Sequence, residues 1–223
     1  MALLSKKDHE YLSQEFAALT RPVRLVMFSQ ARECEYCSET RQILDELAAL
    51  TPAIQVESHD FEAEPDLADE YGIDKIPAIA VTVGGETPQD YGIRYYGIPS
   101  GYEFSSLVED ILMVSRGDSG LAPTTRAALA ELTAPLHLQV FVTPTCPYCP
   151  RAVRLAHQMA LESPLVRADA VEAIEFPHLA HKYDVMGVPR TVVNETLHIE
   201  GAVPEPTLMQ SILRAAASPV PSR

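Results

Sequence analysis

Cys34, Cys37, Cys146 and Cys149 are the only cysteines of this 223-residue chain, and they form two C-x-x-C pairs, Cys-Glu-Tyr-Cys and Cys-Pro-Tyr-Cys. A thiol attacks a disulfide only as the thiolate, and a free cysteine has a pKa near about 8.5, so a reactive pair needs surroundings that stabilise negative charge. The first turn of a helix supplies unpaired N–H groups and the positive end of a dipole, together about 0.3–1 kcal/mol at exposed positions. Two cysteines three residues apart lie about one turn from each other, close enough to bridge. On this chemistry Cys34 and Cys146 attack, and Cys37 and Cys149, further along each helix, resolve the mixed disulfide. A single tetrahedral zinc site is the competing use of four cysteines, but 108 residues separate the pairs, unlike compact zinc frameworks. None of the seven histidines sits in a recognisable cysteine-protease context, and His178 and His181 read as surface residues.

The pairs are 112 residues apart, and sliding the chain by that interval aligns more than cysteines. Tyr71 falls on Tyr183, and Ile73-Asp74-Lys75-Ile76-Pro77 falls on Val185-Met186-Gly187-Val188-Pro189. Both halves place an aliphatic-Pro step 43 residues after the first cysteine. Such self-similarity marks a duplication, with the run Gly-Asp-Ser-Gly-Leu-Ala-Pro at 117–123 as the natural linker. The expected domains are therefore residues 1–118 and 119–223.

The elements that must hold the cysteines repeat too. Apolar, β-rich runs at 22–29 and 136–143 end just before them. Helical patterns follow, with Ile43, Leu44, Leu47 and Leu50 marking one face, and Val153, Leu155, Ala156 and Met159 the other copy's. Next come strands at 54–61 and 165–171, short helices at 66–71 and 177–183, the prolines, and strand pairs at 78–83 with 91–98 and 191–193 with 196–200. Each half closes with an amphipathic helix (101–115; 205–216) and opens with an extra one (7–19; 124–132). Residues 218–223 read as a frayed tail.

Composition narrows the partners. There are 31 acidic against 17 basic side chains, a net charge of −14, so nucleic acid is not the expected partner. No apolar run reaches the roughly 18 residues of a membrane helix. The N-terminus lacks a secretory pattern, which points to the cytoplasm. The charge is uneven: residues 1–118 hold 22 of the acidic and 9 of the basic residues.

Strand, C-x-x-C at a helix start, then aliphatic-Pro before a hairpin: this layout resembles thioredoxin and glutaredoxin, and Thr145-Cys146-Pro147-Tyr148-Cys149 looks like the glutaredoxin active-site sequence. Two such units in one chain resemble the protein disulfide oxidoreductases of thermophilic bacteria and archaea. They are also similar to the paired thioredoxin folds at the N-terminus of flavoprotein reductases that serve peroxiredoxins. The resemblance implies an α/β fold of two tandem thioredoxin-like domains, each a central mixed β-sheet flanked by helices. It implies that Ile76-Pro77 and Val188-Pro189 are cis, face the cysteines and bind extended substrate through backbone hydrogen bonds. It implies protein disulfide or dithiol substrates, with electrons from a thioredoxin-reductase-like flavoprotein and a peroxiredoxin as one acceptor. This chain has no dinucleotide fingerprint of its own, and the dithiols imply no cofactor and no metal.

The chain also departs from thioredoxin. Glu33 and Thr145 stand where thioredoxins carry Trp, and Phe28 and Val140 where they bury an Asp that takes a proton during resolution. Asp60 and Glu172, equivalent under the 112-residue offset, are the candidate replacements, and Arg190 follows Pro189 where relatives carry small residues. Glu33, Glu35 and Glu39 crowd Cys34, whereas Arg151 and Arg154 follow Cys146. Carboxylates disfavour a thiolate and guanidinium groups favour it, so the second couple is expected to be the more oxidising. The functional expectation is a thiol–disulfide oxidoreductase that reduces, forms or isomerises protein disulfides. The alternatives are a dedicated peroxiredoxin reductant and a non-catalytic, zinc-stabilised binding module.

Overall fold

The computed structural model describes residues 3–217; the tail at 218–223 lies outside the described residues. The first half runs α1 (Lys6–Phe16), β1 (Val23–Ser29), α2 (Cys37–Ala48), β2 (Ile54–Asp60), α3 (Pro65–Glu70), β3 (Ala78–Val83), β4 (Gln89–Tyr96) and α4 (Tyr102–Arg116). The second runs α5 (Pro123–Ala130), β5 (Leu136–Val142), α6 (Cys149–Glu162), β6 (Val166–Glu172), α7 (Pro177–Lys182), β7 (Arg190–Val193), β8 (Leu197–Glu200) and α8 (Glu205–Ala217). β2 and β6, and α3 and α7, are displaced by 112 residues, and α2 and α6 each begin at the second cysteine of a pair. The result is a mixed α/β fold of thioredoxin-like halves.

The local reasons are ordinary ones. β1 and β5 are β-branched and aromatic runs, buried on both faces because helices cover both sides of the sheet. α3, α5 and α7 each start with a proline, whose missing N–H costs nothing there. α4 stops at Gly117, left-handed at φ 70°, whose N–H closes onto Met113 O.

The strands of the two halves join into one eight-stranded sheet, in the order β2-β1-β3-β4-β6-β5-β7-β8. Each half contributes a four-strand block in the same internal order, and β4 of the first pairs in parallel with β6 of the second. β3 and β7 run opposite to the other six strands. The seam makes the halves unequal. β2 is an edge strand with a mixed exposed pattern, whereas its equivalent β6 is enclosed between β4 and β5 and buried along nearly its whole length.

A connected apolar core runs through both halves, and polar side chains pin it across the seam. Asp110 on α4 accepts from the Tyr95 hydroxyl and contacts His157 Nδ1 on α6, each at 2.5 Å, with all three side chains buried. Arg167 on β6 donates to Gly72 O at 2.7 Å and to the Tyr96 hydroxyl at 2.5 Å.

Candidate active sites

Each C-x-x-C lies where its β-strand has ended and the next helix begins. Cys34 and Cys37 are joined as a disulfide, as are Cys146 and Cys149, each with Cα atoms 5.5 Å apart. Both dithiols therefore stand in their oxidised state. Cys37 and Cys149 are the first residues of α2 and α6 and are buried; Cys146 is buried as well and Cys34 half-buried. The Cys149 N–H, the first of α6, donates to Cys146 Sγ at 3.1 Å. A helix-terminal N–H aimed at the sulfur is the interaction that stabilises a thiolate.

The two aliphatic-proline steps occupy matching places. Ile76-Pro77 and Val188-Pro189 are both cis. Pro77 O accepts from Gly97 and Pro189 O from Gly201, each at 2.9 Å, so each step is tied to the far strand of its own hairpin. Val188 O lies 3.7 Å from Cys146 Sγ, and Ile76 and Pro77 line a cleft together with Cys34. The Arg190 guanidinium is turned to Glu200 Oε1 and His198 Nδ1, both at 2.7 Å.

Around the two sites the surroundings diverge. The cleft over Cys34 has a volume of about 700 Å³ and crosses the seam, taking in Pro144, Glu172, Ile174 and Glu175 from the second half. At the second site Tyr148 lies between the cysteines, 67% exposed, and Met186, two residues before Val188, is 92% exposed.

The two carboxylates linked by the repeat have separate fates. Asp60, at the end of the edge strand β2, accepts the Glu62 and Ala63 N–H groups at 3.0 Å and caps a turn. Glu172, at the end of the enclosed β6, is buried and lines the same cleft as Cys34 of the other half. Burial pushes its carboxyl above the usual range. Burial and the neighbouring Glu172 and Glu35 charges likewise push Glu175 up to about 7. Phe28 and Val140 are fully buried apolar residues.

One polar residue of note was not legible from the cysteine motifs. Glu103 opens α4 directly after Tyr102, whose N–H donates to Pro144 O at 2.9 Å, two residues before Cys146. Glu103 is only 2% exposed and neither carboxylate oxygen has a well-formed hydrogen bond; the Ser106 hydroxyl, one turn on, is its polar neighbour. Burial raises its pKa to about 8. α4 runs beside α6, joined through Asp110 to His157 and Glu109 to Arg154 (3.4 Å). Two turns back from those pairs are Glu103 on one helix and Pro150, next to Cys149, on the other. The available signal was an acid, with Asp110 two turns on, among the apolar positions of an amphipathic helix.

Known proteins share this geometry. Residues 136–214 match the family model described as Thioredoxin domain. A crystal structure of a protein disulfide oxidoreductase from Aeropyrum pernix is 31% identical, with a TM-score of 0.88 over 95% of this chain and 93% of that one. The chain belongs to the protein disulfide oxidoreductase family. It is a thioredoxin-like enzyme of thiol–disulfide exchange, and the A. pernix likeness extends over both halves.

The N-terminal domain of the alkylhydroperoxide reductase AhpF from Enterococcus faecalis is similar as well, at 28% identity and a TM-score of 0.86 over 94% of this chain and 99% of that one. The AhpF of Staphylococcus epidermidis is 28% identical over 68% of this chain. A Bacillus subtilis NADH dehydrogenase is 25% identical over 76%. The chain spans less than a third of the length of these curated relatives (30% and 27%). Among the described residues, no helix is long and apolar enough to cross a membrane.

Proposed function

We propose that the chain exchanges electrons with disulfides of protein substrates through two dithiol sites, one in each of the domains 1–118 and 119–223. In the reducing direction, the thiolate of Cys34 or Cys146 attacks a substrate sulfur, and the substrate disulfide breaks as a mixed disulfide forms. The thiolate of Cys37 or Cys149 then attacks the cysteine sulfur of that mixed disulfide. The substrate leaves as a dithiol carrying two electrons and two protons, and the protein retains the internal disulfide. Backbone groups at Ile76 and Val188 pair with the extended substrate, which makes recognition tolerant of side chains. The observation that carries this reading is the repeated assembly of disulfide, helix start and aliphatic-proline step.

The resolving thiols must lose a proton. At the second site we assign its acceptor as Glu103, a buried carboxyl on α4, the helix that runs beside α6 and starts against Pro144, with its pKa raised to about 8. The charge around the sites sets their potentials apart. Cys34 is surrounded by Glu33, Glu35 and the two carboxylates from across the seam, while Cys146 receives the Cys149 N–H. The Cys146/Cys149 couple is the more oxidising on this account.

Electrons reach the chain from a thioredoxin-reductase-like flavoprotein. A narrower reading, a dedicated peroxiredoxin reductant, is favoured by the match to the S. epidermidis AhpF, of which this chain corresponds to about a quarter (27%). Turnover of a peroxiredoxin with a flavoprotein reductase, set beside refolding of scrambled ribonuclease, separates the two. Broad oxidoreductase function predicts activity in both assays; the narrower reading predicts the first alone.

A further inference from the structure

The cleft over Cys34 gathers four carboxylates, Glu33 and Glu35 from the first half and Glu172 and Glu175 from the second, with no Lys, Arg or His among its lining residues. Glu172 is the telling member. It is only 4% exposed; Oε2 accepts the Glu175 N–H at 2.6 Å, but Oε1 has no hydrogen-bond partner. Leaving a buried carboxylate oxygen unpaired costs free energy, and a charge-assisted partner recovers it. Glu175 is held in place by the Ile98 N–H at 2.7 Å, so the pair is prearranged rather than loose. Lys75, near in sequence, is already engaged with Asp74 and lies 3.7 Å over the Tyr96 ring.

These observations describe a buried carboxyl that keeps one oxygen unbonded at the edge of an acidic cleft. Among the described residues, no cluster of three or more His, Cys, Asp or Glu is placed to hold a metal ion, so the cleft suits a long cationic side chain entering from solvent better than a metal. Ile174, 70% exposed on the same cleft, offers apolar surface to the stem of such a side chain.

Resting on the reading that Cys34 and Cys37 are a redox site, we propose that this cleft is a cation-accepting subsite. It receives a lysine or arginine side chain of the substrate beside the disulfide that Cys34 attacks. The second site, where Tyr148 and Met186 are the exposed neighbours and the four glutamates of this cleft are not, makes no such selection. The duplication thereby yields one site that prefers basic segments and one indifferent to charge.

The test uses three synthetic peptides, each with one internal disulfide flanked by Lys, Gln or Glu, reduced by pre-reduced full-length protein. In the Cys146→Ser/Cys149→Ser variant, the second-order rate constant is expected to be about tenfold higher for the Lys than for the Gln peptide at low salt. The Glu peptide should be slowest, and the differences should shrink in 0.5 M salt, an ionic strength at which the screening length is only about 4–5 Å. In Cys34→Ser/Cys37→Ser the Lys to Gln ratio should lie near one. Glu172→Gln/Glu175→Gln on the first-site background should lower the ratio at least threefold, and the exposed Glu35→Gln, which does not burden folding, should lower it less. Equal rates for Lys and Gln peptides at the first site, or a ratio unmoved by these Glu changes and by salt, overturn the inference while leaving the redox function standing. Reduction of none of the three peptides overturns the underlying reading, and the subsite with it.

Discussion

The N–H of Ile98, just past β4 of the first half, donates to Oε1 of Glu175 in the second half at 2.7 Å. This bond ties the second half's acidic pair to the first half's cysteine cleft, and it depends on the absence of a side chain at Gly97. A Cβ there would lie 2.7 Å from Glu172 Cβ and 2.8 Å from Glu175 Oε1, at a φ of 91°. Gly97→Ala should therefore destabilise the protein by about 1–3 kcal/mol and disturb the first site more than the second. Urea unfolding, with peptide reduction by each single-pair variant, checks both parts.

The seam network supplies a second prediction. Asp110 bonds to Tyr95 and His157 with no exposed member. Removing one partner strands the others, so Asp110→Ala should cost about 3–5 kcal/mol. Replacing the trio together with Leu, Phe and Leu (Asp110→Leu, Tyr95→Phe, His157→Leu) should cost markedly less, because nothing polar is left without a partner. Chemical denaturation of both variants makes the comparison.

Stability should also fall as pH rises through neutrality. Burial raises Glu103 to about 8, and burial with neighbouring carboxylates raises Glu175 to about 7. Both are favoured as neutral acids in the folded state, so their contribution is complete below the ordinary Glu pKa near about 4.3. It is lost as pH climbs through the raised values. Glu103→Gln should flatten the decline between about pH 5 and 8 by an amount on the order of a few kcal/mol. It should also change the pH dependence of mixed-disulfide resolution at the second site, which a purely structural role would leave untouched. Stability profiles and single-turnover kinetics across pH provide the two readouts.

The couples should be separable by potential. Measured against glutathione in variants retaining one pair each, Cys146/Cys149 should be less reducing than Cys34/Cys37 by tens of millivolts, where about 30 mV corresponds to about 1.4 kcal/mol. Glu172→Gln/Glu175→Gln should narrow the difference by raising the first potential. A first couple with the higher potential would contradict the electrostatic account.

Much of this was legible in the sequence because it is local or repeated. The 112-residue offset located both aliphatic-proline steps, and the local patterns placed a helix after each C-x-x-C and the other element boundaries to within about three residues. The seam was not legible, since strand pairing between halves leaves no fixed spacing. Asp60 and Glu172 look equivalent in the sequence, yet the union of β4 with β6 leaves one at a sheet edge and encloses the other beside the opposite half's cysteine. Glu103 was hidden for a related reason. Its burial depends on α4 packing against a helix of the other half, which an amphipathic pattern alone does not reveal.

The central claim is that two separate dithiols each carry thiol–disulfide exchange. It is tested most directly by reduction of insulin disulfides, with dithiothreitol as donor. Four proteins are needed: the wild type, Cys34→Ser/Cys37→Ser, Cys146→Ser/Cys149→Ser, and the variant lacking all four cysteines. The account predicts activity from each pair alone and none above the uncatalysed rate when all four are replaced. Catalysis surviving the loss of all four, or lost entirely on removing either pair, would contradict it.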